Sequence, residues 1–200
     1  MYRHVFKPLL DFLGALLMLP FVLLVLIVFG PIIYLTDRGP IFYNASRLGI
    51  LGRKFKMYKL RSMYVNAPDQ RNADGSTFNA DDDPRVTPVG RILRKTSLDE
   101  LPQFINVLFG QMSFVGPRPT VSNTSLDYDK LKGDEKHRYD VKPGITGYAQ
   151  AYFRNSITQA EKFHWDAFYA QNVSFVLDVK ILANTFLTVI AEKNINNDNA

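Results

Sequence analysis

The sequence predicts an α-rich α+β protein with a membrane element at its N-terminus, and three observations carry that reading. Twenty-four consecutive residues, Phe12 to Leu35, contain no charged group. Apolar residues recur at helical spacing through much of the remaining chain. Alternation of the strand type is confined to a single stretch, Ile41 to Met63, so any sheet must be small.

The apolar segment comes first. Twenty-four helical residues reach about 36 Å at 1.5 Å per residue, enough for a hydrocarbon core of about 30 Å. A cleaved leader fits poorly, because the run is too long and no small-x-small site follows it. Arg3 and Lys7 precede the segment, and Arg38, Arg47, Arg53, Lys54, Lys56, Lys59 and Arg61 follow it. Positive charge at both ends argues that both stay on the cytoplasmic side, which requires a re-entrant helix-hairpin. A plain single-span anchor is the alternative. Pro20 is the expected hairpin break, with Gly30 and Pro31 as further candidates, since proline removes a donor and clashes with the preceding turn. The chain then divides into a membrane hairpin over 1–38, a globular domain over 39–191 and a polar tail over 192–200.

Thr36-Asp37-Arg38-Gly39-Pro40 reads as the turn out of the membrane. Ile41 to Met63 suggests strands or short extended pieces, and Val65 to Pro88, rich in Asp, Asn, Gly and Pro, a loop. Asp81-Asp82-Asp83 within it suits a solvated acidic turn better than a metal site. Val89 to Lys95 reads as a short helix with three cations. Leu101, Phe104, Ile105, Leu108 and Phe109 share one helical face, and Gly110 stops it. Pro117 and Pro119 exclude regular structure around them. A charged helix over Leu126 to Tyr139, a glycine-lined turn over Pro143 to Gly147, and helices over Ile157 to Tyr169 and Phe175 to Ala191 complete the chain. Phe163, Trp165, Phe168 and Tyr169 flank Lys162 and His164, a mixture that suits a helix in the membrane interface or ordinary core packing.

Composition narrows the chemistry. The 200 residues contain no cysteine, which excludes disulfides, thiolate metal sites and a cysteine nucleophile. The net charge is +5. Beside a membrane segment, that balance points to anionic lipid or a phosphorylated substrate rather than nucleic acid. Two adjacent carboxylates, Asp99 and Glu100, stand at the expected start of a helix. Ser97 with Glu100 fits a capping box, and Asp99 can itself serve as an N-cap. A helix N-terminus also keeps a carboxylate ionised, and an ionised Asp can attack phosphorus or hold a divalent cation. Arg91, Arg94 and Lys95 precede the pair, and Arg118 follows it between two prolines that set its direction. A glycosidase suits the pair poorly, since neighbouring helical residues project about 100° apart and cannot flank a bond.

Asp99-Glu100-Leu101-Pro102-Gln103, Asn106-Val107-Leu108 and Met112-Ser113-Phe114-Val115-Gly116-Pro117-Arg118-Pro119 resemble the signature of the bacterial sugar transferases. More narrowly, they resemble the small monotopic polyprenyl-phosphate phosphoglycosyl transferases. Gly39 to Tyr43, Arg47-Leu48-Gly49 and Phe55 to Met63 are similar to the family's early motif. Pro143 to Gly147 with Gln150, Arg154 and Asn155 is similar to a later one, and Asp178, Lys180, Ile181, Leu182 and Thr185 to its closing helix. Among small members, the nearest likeness is to those that start protein N-glycans in Campylobacter-like bacteria. Departures exist. The family's Ser-Pro break falls here on Leu23 and Leu24, with Pro20 one turn earlier, and Ala45, Gln111 and Ala151-Tyr152-Phe153 replace the usual Gln, Asp and Val-Asn-Gly.

The resemblance implies transfer of a sugar 1-phosphate from a UDP-sugar to undecaprenyl phosphate, with release of UMP. It implies a re-entrant hairpin and interfacial amphipathic helices around a small cytoplasmic catalytic core, on the inner face of the bacterial inner membrane. By the same resemblance Asp99 is the nucleophile of a covalent phospho-sugar intermediate. Glu100 assists proton transfer or acceptor activation, and to act as a base near neutrality it needs a raised pKa. Mg²⁺ sits at Asp99 and the diphosphate. Arg94, Arg118, Lys59, Arg61 and Arg154 bind phosphate. Partners are membrane lipids and, downstream, glycosyltransferases. The competing reading is a non-enzymatic, single-span, basic binding protein in which the acid pair only caps a helix.

Overall fold

A computed structural model describes residues 1–68, 70, 78, 80, 82–122, 128–154 and 156–190. Helix α1 (Lys7–Asp37) is preceded by a π-helical turn over Tyr2–Phe6. A hairpin of β1 (Phe42–Leu48) and β2 (Lys54–Leu60) follows, with Phe42 opposite Leu60 and Leu48 opposite Lys54. Then come α2 (Pro88–Lys95), a 3₁₀ turn over Leu98–Glu100, α3 (Gln103–Leu108), β3 (Ser113–Val115) and β4 (Thr120–Val121). The chain closes with α4 (Gly133–His137), β5 (Gly144–Thr146), α5 (Tyr148–Tyr152), α6 (Gln159–Gln171) and α7 (Phe175–Ile190). The strands form one sheet in the order β2-β1-β4 and a parallel pair β3-β5.

The expected break at Pro20 does not interrupt the helix. Pro20 and Pro31 both lie inside α1, which ends at Arg38 in the left-handed conformation (φ 55°). One face of α1 packs on the domain along its length. Ala15 meets Phe55, Met57, Val107 and Met112, while Val25 and Ile33 meet Leu60, Val89 and Leu93. Leu17, Ile27 and Leu35, on other faces, are 71–80% exposed. Both ends are clamped. Tyr2 Oη and Lys7 Nζ reach Asp178 Oδ2 at 2.6 and 2.8 Å, and Asp37 receives both guanidinium nitrogens of Arg61 at 2.6 Å.

Several expected elements change. Pro143 to Gly147 is not only a turn, because Gly144–Thr146 pairs with β3 in parallel. The long helix over Leu126 to Tyr139 is instead a 3₁₀ turn, α4 and a second 3₁₀ turn. Gly133, at φ 55°, breaks the run. Residues 123–127, Asp81, Asn155 and the tail lie outside the described residues. Helix α2 starts one residue before the expectation because Thr87 caps it, accepting the Gly90 N–H at 2.9 Å, with Pro88 in the first turn. Helix α6 begins with a full capping box, Thr158 and Glu161.

Asn106 ties α3 to β2 and so sets the acid pair against the sheet. It is fully buried; its Oδ1 accepts the Tyr58 N–H at 2.9 Å, and its Nδ2 donates to Lys56 O and Gln111 Oε1 at 2.7 Å each. Removing it strands a backbone donor and a backbone acceptor. Asn106→Ala is therefore expected to destabilise the protein by about 2–4 kcal/mol, read from thermal melts in detergent. An unchanged melting temperature would contradict this role.

Candidate active site

Ser97 adopts the left-handed conformation (φ 56°) and turns the chain sharply out of α2. The next three residues form the 3₁₀ turn that carries Asp99 and Glu100. Neither acid caps a helix: Ser97 makes no side-chain cap bond, and the residue before α3 is Pro102. Instead both carboxylates face Lys59 on β2, with Nζ 2.6 Å from Glu100 Oε1 and 3.6 Å from Asp99 Oδ2. The capping alternative read from the sequence is thus corrected. Pro102 shortens the helix, and the acids turn toward the basic strand instead.

The two acids differ electrically. Burial pushes the Asp99 carboxyl above the ordinary range, with Glu100 adding to this and Lys59 and Arg94 opposing it. Burial would raise Glu100 too, but Lys59, Arg118 and a hydrogen bond from Gln103 outweigh it and hold the group at about 2. The helix-end expectation for Asp99 and the raised pKa expected of Glu100 are both reversed. Burial dominates at Asp99, whereas at Glu100 the two cations and the hydrogen bonds together outweigh it. Glu100 is accordingly a fixed anion that anchors Lys59, and a poor proton acceptor near neutrality. A carboxyl held below its ordinary value stabilises the fold above about 4.5 and loses that contribution as pH falls toward 2. In chelator, the stability gap between the wild type and Glu100→Gln is expected to close across that window. A gap that persisted at pH 2 would refute the pairing.

Arg118 lies across from the pair in a rigid loop. Gly116 N donates to Thr146 O, and Gly144 N donates to Pro117 O, both at 2.9 Å. The strands approach so closely that a Cβ on Gly144 would lie 2.1 Å from Gly116 N, so only glycine fits. Arg138 Nη2 donates to Arg118 O at 2.9 Å and to Asp166 Oδ2 at 2.6 Å, and its Nη1 donates to Thr120 Oγ1 at 2.6 Å. The Arg138–Asp166 pair is buried on both sides. The loop backbone is thereby pinned while the Arg118 side chain stays exposed. Arg118, Lys59, Glu100, Gln103, Arg47 and Met57 line a small recess, and Asp99 is not among its lining residues.

The remaining expected phosphate ligands separate into groups. Arg94 stands behind the pair, its Nε donating to Ser62 Oγ at 2.9 Å and its charge acting on Asp99. Arg61 is buried and directed away from the recess. It is held by Asp37 and by the carbonyls of Ile33, Pro40 and Met63, and so clamps the end of α1. Arg154 sits in the turn after α5 and is not among the residues lining the recess. The sequence assigned no role to Arg138 or Asp166, and it placed Gln103 and Arg47 in motifs without giving either a part in the site. Arg138 lies in what read as a charged helix, and no local pattern signals its burial.

No group of three acidic or histidine side chains that could cage a metal is present among the described residues. Asp83 is buried against Arg85 at 2.6 Å, a structural pair. The pair His137–Asp140 is exposed, as is His164–Asp134. Trp165 stacks on Tyr148 and Phe153 at 5.1 and 5.2 Å, and Arg138 lies over Phe163, so these late aromatics pack within the protein. Phe168 remains 38% exposed.

A family model described as bacterial sugar transferase matches residues 2–192. An uncharacterised sugar transferase, EpsL of Bacillus subtilis (strain 168), is 38% identical over 98% of this chain and 92% of its own length. A UDP-glucose:undecaprenyl-phosphate glucose-1-phosphate transferase of Klebsiella pneumoniae is 41% identical over 92% of this chain and 39% of its own length. An undecaprenyl-phosphate galactose phosphotransferase of Salmonella typhimurium (strain LT2) is 38% identical over 84% of this chain and 38% of its own length. The chain thus spans nearly all of EpsL and about two fifths of the other two. A match that begins at the N-terminal apolar helix and runs through the acid pair, the Arg118 loop and α7 places this chain in the bacterial sugar transferase family, and it is a transferase enzyme.

Proposed function

We propose that this protein transfers a sugar 1-phosphate from a UDP-sugar to undecaprenyl phosphate. The observation that carries the reading is a buried Asp99 sharing Lys59 with Glu100, which lines a recess together with Lys59 and Arg118. Two relatives whose names state such a reaction support the substrate class. The Asp99 carboxylate attacks the phosphorus that bears the sugar, and the bond to the UMP oxygen breaks. UMP leaves, and the sugar phosphate remains on Asp99. An oxygen of undecaprenyl phosphate then attacks the same phosphorus and releases Asp99, giving the polyprenyl diphospho-sugar. The acceptor oxygen is already anionic near neutrality, so the second step needs no strong base, in keeping with an ionised Glu100. Lys59, Arg94 and Arg118 offset the repulsion between diphosphate and carboxylates.

The donor set suits Mg²⁺ of the kind shared between one or two carboxylates and substrate phosphates. In this reading Asp99 would be the protein ligand, together with oxygens of the substrate diphosphate. When bound, the ion would supply charge neutralisation at the transferring phosphoryl group.

The membrane arrangement follows from α1. Its two ends are clamped by the same domain through Asp178 and Asp37, which a perpendicular span with ends in opposite water phases cannot satisfy. We infer a monotopic protein on the cytoplasmic face, the exposed leucine face of its continuous helix dipped into one leaflet. The product would pass to glycosyltransferases that extend a lipid-linked sugar. His4, which is exposed, tests the topology. His4→Cys in spheroplasts is expected to resist a membrane-impermeant maleimide until the membrane is opened; labelling from outside would overturn the arrangement. The activity is tested by incubating membranes with labelled UDP-sugars, Mg²⁺ and undecaprenyl phosphate. UMP and a lipid-linked sugar should appear together, and no UMP from any UDP-sugar would reject the reading.

A further inference from the structure

The strand that leads into the Arg118 loop is completed by the membrane helix. On its β5 side, Ser113 N donates to Pro143 O and Gly116 N to Thr146 O. The N–H of Phe114, next after Ser113, is directed away from β5 to the other edge of β3, where no strand among the described residues pairs with it. There it donates to Asp11 Oδ1 of α1 at 3.0 Å. Asp11 is buried, at 7% exposure, immediately before the uncharged run. A carboxylate at that place is costly to desolvate, so a specific acceptor role is the natural reason for it.

Neighbouring contacts make the same join. One turn along α1, Gly14 lies against the Phe114 ring so tightly that a Cβ would stand 2.8 Å from it. Ala15 packs on Met112 and Val107. The Val115 carbonyl is 3.0 Å from Tyr169 Oη, which is 2.7 Å from Asp178 Oδ1, and Asp178 in turn holds Tyr2 and Lys7 of the N-terminal segment. The next residue, Gly116, opens the Gly-Pro-Arg-Pro loop.

We propose that Asp11 is a positioning residue for Arg118. Seating α1 closes the free edge of β3 through Asp11, and the closed strand sets the loop that presents Arg118 to the substrate diphosphate. Membrane docking of the helix and ordering of the phosphate-binding loop are then a single event. The substrate part of this inference rests on the function proposed above; the coupling of helix to strand does not.

The test compares Asp11→Ala, Asp11→Asn and Gly14→Val in the full-length protein in nanodiscs. Asparagine keeps an oxygen acceptor, so its kcat/KM is expected within about threefold of wild type. Alanine and the Gly14 variant are expected to lose on the order of 10²-fold in kcat/KM, with a raised KM for the UDP-sugar, since ångström-scale misplacement of a binding group has that effect. Without substrate, hydrogen exchange should quicken in peptides covering 113–119 while α6 keeps its protection. Equal loss in Asn and Ala variants, unchanged exchange at 113–119, or loss of protection in α6 as well would each overturn the proposal. A wild type inert toward every UDP-sugar would reject the functional reading alone, because the exchange measurement still decides the role of Asp11.

Discussion

Asp99→Asn is expected to abolish both UMP release and formation of the lipid-linked sugar, a loss on the order of 10⁴-fold or more, the scale seen when a nucleophile is removed. Asparagine matches aspartate in shape, so Lys59 keeps its 2.6 Å contact with Glu100 and the recess keeps its walls. The same substitution is expected to raise the melting temperature. Burial holds the Asp99 carboxyl above its ordinary value. Its contribution to stability is therefore complete below about 3.8 and is lost as pH rises through the folded pKa; at neutral pH the buried charge opposes folding. The amide removes that charge. A variant both inactive and more stable is the mark of a site that holds a strained charge for use. Assays of UMP release, paired with thermal melts at pH 7 in chelator, check both halves. Full activity in Asp99→Asn would remove Asp99 from the mechanism, and a lower melting temperature would show that the charge is well solvated.

Asp166→Ala is expected to be the most damaging change outside the site. Arg138 and Asp166 meet at 2.6 Å with both side chains 4% exposed. Deleting the acid leaves a buried guanidinium without its anion, a change that costs about 3–5 kcal/mol in comparable pairs. For a protein of this size that corresponds to a fall of roughly 10 °C in melting temperature. Arg138 also donates to Arg118 O and Thr120 Oγ1, so its displacement loosens the Arg118 loop. The double variant Arg138→Met with Asp166→Leu separates these effects. It should recover much of the stability, because a buried ion pair replaced by apolar groups is often neutral. It should not recover transfer, because the loop has lost its anchor. Recovery of transfer in the double variant would show that the pair serves stability alone.

How far the sequence could be read depended on whether a signal was local. The helix after Pro102 was legible from its apolar spacing, but the face it buries was not: α3 buries Gln103, Asn106 and Val107, with Asn106 bonded to β2, while Phe109 of the expected stripe is 68% exposed. The acid pair and Arg118 were legible because carboxylates, arginines and prolines constrain chemistry wherever they fall. The direction in which the acids turn was not. A capping box and a lysine contact are equally compatible with Ser97-Leu98-Asp99-Glu100, and the choice belongs to Lys59, forty residues upstream on β2. Arg61 shows the reverse error. It looked like a phosphate ligand among other cations, yet Asp37 and three carbonyls occupy it. β5 escaped notice because Gly144-Ile145-Thr146 is too short to show alternation and becomes a strand only beside β3.

By itself, then, the sequence determined the apolar helix, the helix-rich class, the adjacent acids and the proline-flanked arginine, all of which depend on residue type and on spacing within a few turns. Only the tertiary structure decided that Lys59 divides the acids into a strained carboxyl and a fixed anion, that Arg138 and Asp166 brace the loop, and that Asp11 closes the edge of β3. The physical reason is the same in each case. Desolvation and charge pairing act across space, and at 2.6 to 3.6 Å they outweigh the capping and dipole preferences that local sequence can express.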